Sequence, residues 1–260
     1  MDLTYSKYLN LDRLLNLQQP RSEGPAHDET LFIIIHQIYE LWFKEILHEL
    51  DHVTRLLRKR QIHPTLHFLD RIIKIFKILV EQLGVLKTIN PVDFLTFRGY
   101  LGTASAFQSR QFRELEFLMG FKRQEFVHMF EEGSEARKRL ELRLSQPCLR
   151  EVFIQFLSAE GYPVPEELLA VNSANPLEPS DKIQQILIDI YHDNQTLTLV
   201  CERLLDIDDG FQEWRYNHVK LVERTIGEKP GTGGSSGVKY LKTTLFNSAF
   251  PDLRAIRTRL

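Results

Sequence analysis

This sequence has few cysteines, no long apolar run and nearly equal numbers of positive and negative charges. The 260 residues include two cysteines, Cys148 and Cys201, too few for a disulfide framework or a zinc cluster. The longest apolar run, Leu31 to Ile35, is far shorter than the ~18–20 residues that span a bilayer. Lysine and arginine total 33 against 35 acidic residues, which gives no global basic field for nucleic acid. We therefore expect no membrane and no nucleic-acid partner.

The start of the chain, Met1 to Thr4, also lacks the charged and apolar regions of a signal peptide. Together with the low cysteine content, this predicts a protein of the reducing cytoplasm.

Helical periodicity is what the sequence has in abundance. Apolar residues recur at spacings of three and four, and no stretch alternates as a strand does. We predict an all-α helical bundle in a single domain over residues 1–260. The four prolines between residues 161 and 180 predict an irregular excursion. Helices are predicted over residues 28–59, 65–83, 181–205 and 210–226, and Gly84 is expected to end the second of these. Two further helices are predicted between residues 91 and 130, divided near 99–106.

Nine histidines in a helical protein direct attention to metals held between helices. Two Glu-x-x-His pairs, Glu45 with His48 and Glu125 with His128, have the spacing used in carboxylate-bridged di-iron bundles. On the wheel of the first long helix, however, Glu45, His48 and His52 lie roughly 90° or more from the centre of the apolar stripe. We therefore expect these three residues to face water, which leaves a di-iron site as a distant alternative.

His36 and His218 have different settings. His36 lies at the edge of the apolar stripe beside Phe32, so it is either a packed boundary residue or a hydrogen-bonding group facing an apolar pocket. His218 follows Trp214 by four residues, which places both on one helix face within contact distance. It is either an axial ligand of haem iron or a histidine packed on the indole.

Arg98 follows the aromatic residues Phe94 and Phe97 and precedes a small-residue turn. This setting suits a guanidinium that clamps a carboxylate, although a solvated arginine has the same local pattern.

A glycine-rich stretch, residues 231–237, holds four of the chain's 13 glycines. It lacks the Gly-Lys-Ser/Thr ending of a nucleotide P-loop and follows no strand. Ser235 and Ser236 are positioned to cap the next helix, so the loop either folds over a polar ligand and presents Thr232 to it or is a mobile surface loop.

Three blocks of sequence, taken together and in order, are distinctive. They are residues 27–37 (HDETLFIIIHQ), residues 97–98 with 104–109 (FR, ASAFQS), and residues 214–218 (WRYNH) leading to 231–235 (GTGGS). In these blocks the chain resembles the tryptophan 2,3-dioxygenase family, from Tyr5 to about Arg257. The resemblance implies an all-helical, homotetrameric haem protein. Its activity would be to open the indole ring of L-tryptophan with O2, giving N-formyl-L-kynurenine in the first step of the kynurenine pathway.

The resemblance also implies roles for individual residues. His218 matches the proximal ligand of the haem iron, and Trp214 matches the indole beside it. His36 matches the distal histidine that accepts the indole N–H of the substrate. Arg98 matches the partner of the substrate carboxylate, and Thr232 the loop threonine near the ammonium group.

Further positions complete the implied site. Phe32 and Phe94 match residues that flank the indole, and Ser105 matches a serine at the distal edge of haem b. An N-terminal segment within residues 1–20 would complete the active site of a neighbouring subunit through Tyr5, Tyr8 and Leu9.

The chain departs from the family pattern at a few positions. Where the family commonly has Pro-Ala-Ser-Gly, this chain has Thr-Ala-Ser-Ala at 103–106, which adds a methyl group at Ala106 near the haem. Arg110 and Arg254 stand where apolar residues are usual. These departures leave open a haem oxygenase of the same fold that acts on a modified tryptophan or inserts one oxygen atom. A non-enzymatic haem or tryptophan sensor that retained the pocket is a separate alternative.

Overall fold

The computed structural model describes residues 2–24, 26–169, 178–234 and 236–260. Within these ranges there are helices and no strands, which confirms the all-α prediction. The α-helices are α1 (Tyr5–Leu9), α2 (Leu11–Leu14), α3 (His27–Arg58), α4 (Ile62–Leu86), α5 (Pro91–Arg98), α6 (Arg110–Leu118), α7 (Glu135–Ser145), α8 (Leu149–Ala159), α9 (Asp181–Asp193), α10 (Gln195–Ile226), α11 (Val238–Thr243) and α12 (Pro251–Ala255). No helix in these ranges is long and apolar enough to cross a membrane.

Three long helices form the centre of the molecule, with α4 packed against both α3 and α10. Each contributes fully buried apolar side chains, and each such side chain stabilises the fold by about 1.5–3 kcal/mol. Helices α4 and α10 approach closely because position 210 is glycine: a Cβ there would lie 3.0 Å from the Cβ of Phe76. The fully buried side chains of this centre include Ile46, Leu50, Leu69, Ile72, Leu79, Leu204 and Phe211.

Several predicted helix boundaries are wrong. Gly84 does not end α4, which continues to the buried Leu86; one interior glycine costs only about 1 kcal/mol, less than this packing returns. The predicted break before Gly210 is absent. The chain breaks instead at Asn194, whose side chain accepts a hydrogen bond from the Leu197 backbone N–H at 3.1 Å and caps α10.

The region after α5 follows the prediction more closely. Helix α5 ends at Arg98, and two short 3₁₀ turns, Gly99–Leu101 and Ala106–Gln108, separate it from α6. Helix α6 ends at Leu118, well before residue 130.

Helix α11 is capped by Gly237 and not by Ser236, while Ser235 lies outside the described residues. Part of the predicted excursion, residues 170–177, also lies outside them.

Candidate active site

A cavity of about 600 Å³ opens between α3, α5, α6 and α10 and is bordered by the loop that follows α10. Cavities that bind cofactors and small molecules have ~300–1,000 Å³. Its wall brings together residues that lie far apart in the sequence. Nine side chains singled out by the sequence line it: Phe32, His36, Phe94, Arg98, Ser105, Ala106, Trp214, His218 and Thr232.

Three predicted site residues do not line this cavity. Tyr5, Tyr8 and Leu9 lie on α1 with exposed fractions of 75%, 73% and 40%. These three residues are predicted to contact a second copy of the chain. Their exposure in a single chain does not test that contact, which stays a prediction.

The hydrogen bond of His36 determines what its ring offers to the cavity. Nδ1 lies 2.7 Å from the Phe32 carbonyl oxygen one helical turn earlier. Because a carbonyl only accepts, Nδ1 carries the hydrogen and Nε2 keeps its lone pair. Burial lowers the pKa of His36, against smaller opposing effects of the Phe32 carbonyl and Glu40. At neutral pH, His36 is therefore an uncharged hydrogen-bond acceptor.

His218 lies on α10 and stacks on Trp214, with ring centroids 5.2 Å apart and planes 4° apart. The spacing of four residues predicts this contact. His218 is half-buried and lines the cavity. Burial lowers the pKa of His218 to about 4, with smaller contributions from His36 and Arg113.

The ring nitrogens of His218 are available to a ligand. Among the described residues, none makes a hydrogen bond with either nitrogen, and at neutral pH the ring is uncharged. The Nε1–H of the neighbouring Trp214 is buried and makes no hydrogen bond among the described residues. An uncharged imidazole with a free lone pair is the form that binds a metal ion.

Arg98 and Thr232 meet at the edge of the cavity through the loop after α10. Arg98 Nη2 donates to the Pro230 carbonyl at 2.7 Å, and Thr232 Oγ1 donates to the Ala104 carbonyl at 2.7 Å. These bonds join segments 132 and 128 residues apart. They anchor the loop to the protein, whereas a mobile surface loop would lack such contacts.

Glycine is required at two positions of this loop. A Cβ at Gly233 would lie 2.7 Å from the Cβ of Ser105, closer than real Cβ atoms approach. Gly237 has φ +62°, and a Cβ there would lie 2.7 Å from the Lys229 carbonyl oxygen. The glycine-rich stretch therefore allows the loop to pack directly on the segment that carries Ser105.

Many residues of the wall are not indicated by any sequence pattern, among them four with polar or charged side chains. Arg113, Glu116, Arg215 and Tyr240 all line the cavity, and the first three are buried. The spacing of three residues between Arg113 and Glu116 indicates a helical ion pair, but no sequence pattern connects either residue to α10.

The departures at Arg110 and Arg254 have structural partners. Arg110 pairs with Glu114, and Arg254 pairs with Asp208 and Asp209 at 2.8 and 2.6 Å. Neither arginine lines the cavity.

The di-iron alternative is not supported. In the described part of the chain, no three His, Cys, Asp or Glu residues cluster in a way that could hold a metal ion. His48 is exposed, as the helical wheel predicts, whereas Glu45 and His52 are half-buried, with the His52 ring 4.5 Å from that of Phe68. Glu125 and His128 are exposed at a turn after α6.

Similarity to known proteins extends over nearly the whole chain. The family model described as tryptophan 2,3-dioxygenase matches residues 1–146 and 172–260. A tryptophan 2,3-dioxygenase from Herpetosiphon aurantiacus is 51% identical over 258 residues, covering 99% of this chain and 98% of the relative. The tryptophan 2,3-dioxygenase from Anaeromyxobacter sp. (strain K) is 45% identical, covering 99% of this chain and 96% of the relative. The one from Bacillus thuringiensis (strain Al Hakam) is 40% identical, covering 100% of this chain and 93% of the relative. The chain therefore belongs to the tryptophan 2,3-dioxygenase family.

Proposed function

We propose that this chain is a haem b-dependent L-tryptophan 2,3-dioxygenase, which adds both atoms of O2 across C2–C3 of the indole to give N-formyl-L-kynurenine. The observation that carries the proposal is one cavity with two uncharged histidines, His36 and His218, and with Arg98 and Thr232 on its wall. Membership of the family supports the same activity.

The residues around His218 fit a haem. The ring has no hydrogen-bond partner among the described residues, the adjacent Trp214 Nε1 is buried without an acceptor, and a single histidine is a common protein ligand of haem iron. When bound, ferrous haem would supply the oxygen binding and bond making for which side chains have no equivalent. The protein then has to bind the substrate, orient it and exclude water.

His36 and two phenylalanines would orient the indole. With Nδ1 held by the Phe32 carbonyl, His36 Nε2 can accept the indole N–H and fix the direction from which the ring approaches. The rings of Phe32 and Phe94 lie 5.8 Å apart on the cavity wall and provide apolar surface for the indole. Aromatic lining of this kind also excludes water from the reacting atoms.

Arg98 and Thr232 would hold the amino-acid group. A substrate carboxylate can replace the Pro230 carbonyl as the acceptor for Arg98, because a charged acceptor makes the stronger hydrogen bond. Thr232 donates its hydroxyl hydrogen to the Ala104 carbonyl, so its oxygen lone pairs remain able to accept from the ammonium. Together the two contacts fix the amino-acid end while His36 fixes the indole end.

The proposal includes an assembly. Residues 1–260 form a single domain, and four chains form a cytoplasmic homotetramer in which residues 1–20 of one chain complete the site of another. The exposed aromatic rings of Tyr5 and Tyr8 support a partner for this segment, since large apolar side chains gain stability when covered.

A second candidate is favoured by Ala106. This residue lines the cavity, and its methyl group occupies space near the expected haem edge. An oxygenase of the same fold acting on a modified tryptophan, or inserting one oxygen atom, is therefore the alternative.

The test is a single-turnover reaction of the haem-reconstituted, anaerobically reduced protein with L-tryptophan and isotopically labelled O2. We expect a product that carries two labelled oxygen atoms. One labelled atom would support the alternative of one-atom insertion. Binding of haem and tryptophan without turnover would instead favour a sensor and overturn the proposal.

Substitution Gly233→Ala tests the role of the loop. The added methyl meets Ser105 Cβ at 2.7 Å, and overpacking of this kind costs ~1–3 kcal/mol. Because the loop that carries Thr232 has to shift to relieve this contact, we expect the KM for L-tryptophan to rise several-fold and the thermal unfolding midpoint to fall by a few degrees. The control is Gly84→Ala in α4, where a Cβ meets no atom within 4 Å. An unchanged KM for Gly233→Ala would contradict the contact.

A further inference from the structure

A group of buried charges forms part of the cavity wall without a role in the steps above. Glu116 of α6 accepts from Arg113 at 2.5 Å and from Arg215 of α10 at 2.8 Å, and Arg123 lies 3.4 Å from it. The side chains of Arg113, Arg215 and Glu116 are no more than 5% exposed. Three guanidinium groups thus surround one carboxylate.

Among the described residues, no second carboxylate pairs with any of these three guanidiniums. A neighbouring network shows the contrast: Arg110 and Arg143 are matched by Glu114 and Asp51, two charges of each sign. Buried charge without a counter-charge is costly, because desolvation is not repaid by pairing. The group around Glu116 therefore has more positive than negative charge among the described residues, and the aromatic rings that its guanidiniums contact carry no net charge.

Two polar atoms at the same place also lack partners. Arg113 Nε and the Tyr240 hydroxyl are buried and make no hydrogen bond among the described residues. Both residues line the cavity and both contact Phe107: its ring centroid lies 4.9 Å from the Arg113 guanidinium carbon and 5.2 Å from the Tyr240 ring centroid. Burial also raises the pKa of Tyr240, so its hydroxyl keeps its hydrogen and can donate.

We infer that Arg113, Arg215 and Tyr240 form an anion site in the cavity wall that binds a propionate carboxylate of haem. The inference rests on the proposed function, because it takes haem as the occupant of the cavity. Haem b carries two carboxylates, and a carboxylate beside these guanidiniums would supply the missing negative charge and accept from the unpaired donors.

The position of this site relative to His218 supports the assignment. Arg113, Arg215 and Tyr240 line the same cavity as His218, and Arg215 lies on α10 three residues before His218. An iron ligand and a propionate site on one wall would fix both the position and the rotation of the haem plane. The carboxylate of the amino acid has its own partner in Arg98, on a different helix.

The experiment is a chemical double-mutant cycle. Haem b and its dimethyl ester, which lacks the carboxylate charges, are titrated into the apoprotein and followed by the Soret band. We expect Arg113→Met to weaken binding of haem b on the order of 10- to 100-fold, as for loss of a charged hydrogen bond. Binding of the ester is expected to be the same in both proteins. The control is Arg110→Met, from the balanced network on the same helix, which should not discriminate between the two ligands.

Several outcomes would overturn the inference. Equal weakening of haem b and ester would show that Arg113 only packs the wall. A raised KM for L-tryptophan with unchanged haem affinity would assign the site to the substrate carboxylate. If the wild-type chain bound neither haem nor ester, the proposed function itself would fail.

A second variant guards against misfolding. Unfolding of apo Arg113→Met is followed by circular dichroism. If this variant does not fold, the haem titrations are made with Tyr240→Phe instead. Removing the unpaired hydroxyl is expected to weaken haem b several-fold and to leave the ester unaffected. No effect on haem b would overturn the role of Tyr240.

Discussion

Replacement of His218 by alanine is expected to abolish the Soret band of the haem-reconstituted protein and, with it, product formation. His218 offers an uncharged imidazole with no hydrogen-bond partner among the described residues, so alanine leaves the iron without its protein ligand. We expect haem affinity to fall by more than about 100-fold, since losing even a residue that only orients a metal ligand costs roughly 10–100-fold. Absorbance titration of the apoprotein measures the loss.

Two controls separate ligation from folding. Free imidazole should restore a Soret band to His218→Ala, because it can enter the space that the side chain leaves. His48→Ala removes an exposed histidine of α3 and should have no effect. A normal spectrum for His218→Ala would disprove the assignment of the ligand.

Substitution of Arg98 by alanine is expected to weaken use of L-tryptophan while leaving the haem spectrum intact. A hydrogen bond to a charged group contributes ~1.5–3 kcal/mol, which corresponds to a roughly 10- to 150-fold loss of kcat/KM. The loss should lie mainly in KM, because the carboxylate is bound in both the ground state and the transition state. Steady-state kinetics of the reconstituted variant measure it.

Tryptamine provides the matched control because it lacks the carboxylate. Wild-type protein and Arg98→Ala should bind tryptamine equally well, as judged by the spectral change of the haem. Because Arg98 also holds the Pro230 carbonyl, a collapse of the spectrum in the variant would show that the arginine is structural.

The sequence predicts those parts of the site that depend on neighbours along one helix. The four-residue spacing of Trp214 and His218 predicts their contact, and the structure has the rings stacked. The wheel of α3 places His36 at the edge of the apolar stripe and turns His48 to the solvent. Such predictions succeed because helical geometry fixes which side chains share a face.

The rest depends on contacts between distant segments. The pairing of Glu116 with Arg215 joins positions 99 residues apart, and no periodicity indicates it. The predicted boundary between residues 205 and 210 is absent, because Gly210 lies inside α10, where its lack of a Cβ permits close packing on Phe76. Tertiary packing overrides local propensity at this position.

The order of the cavity walls along the chain has a consequence for biosynthesis. His36 lies on α3, whereas Trp214 and His218 lie on α10, so about 180 residues are synthesised between the two sides of the cavity. At ~5–20 residues per second, this synthesis takes roughly 10–40 s. Until α10 leaves the ribosome, the apolar face of α4 that it covers has no partner. A nascent chain of this length would be prone to aggregation and a client for chaperones. Loading of the cofactor would then be a late event, after translation has delivered the last helices.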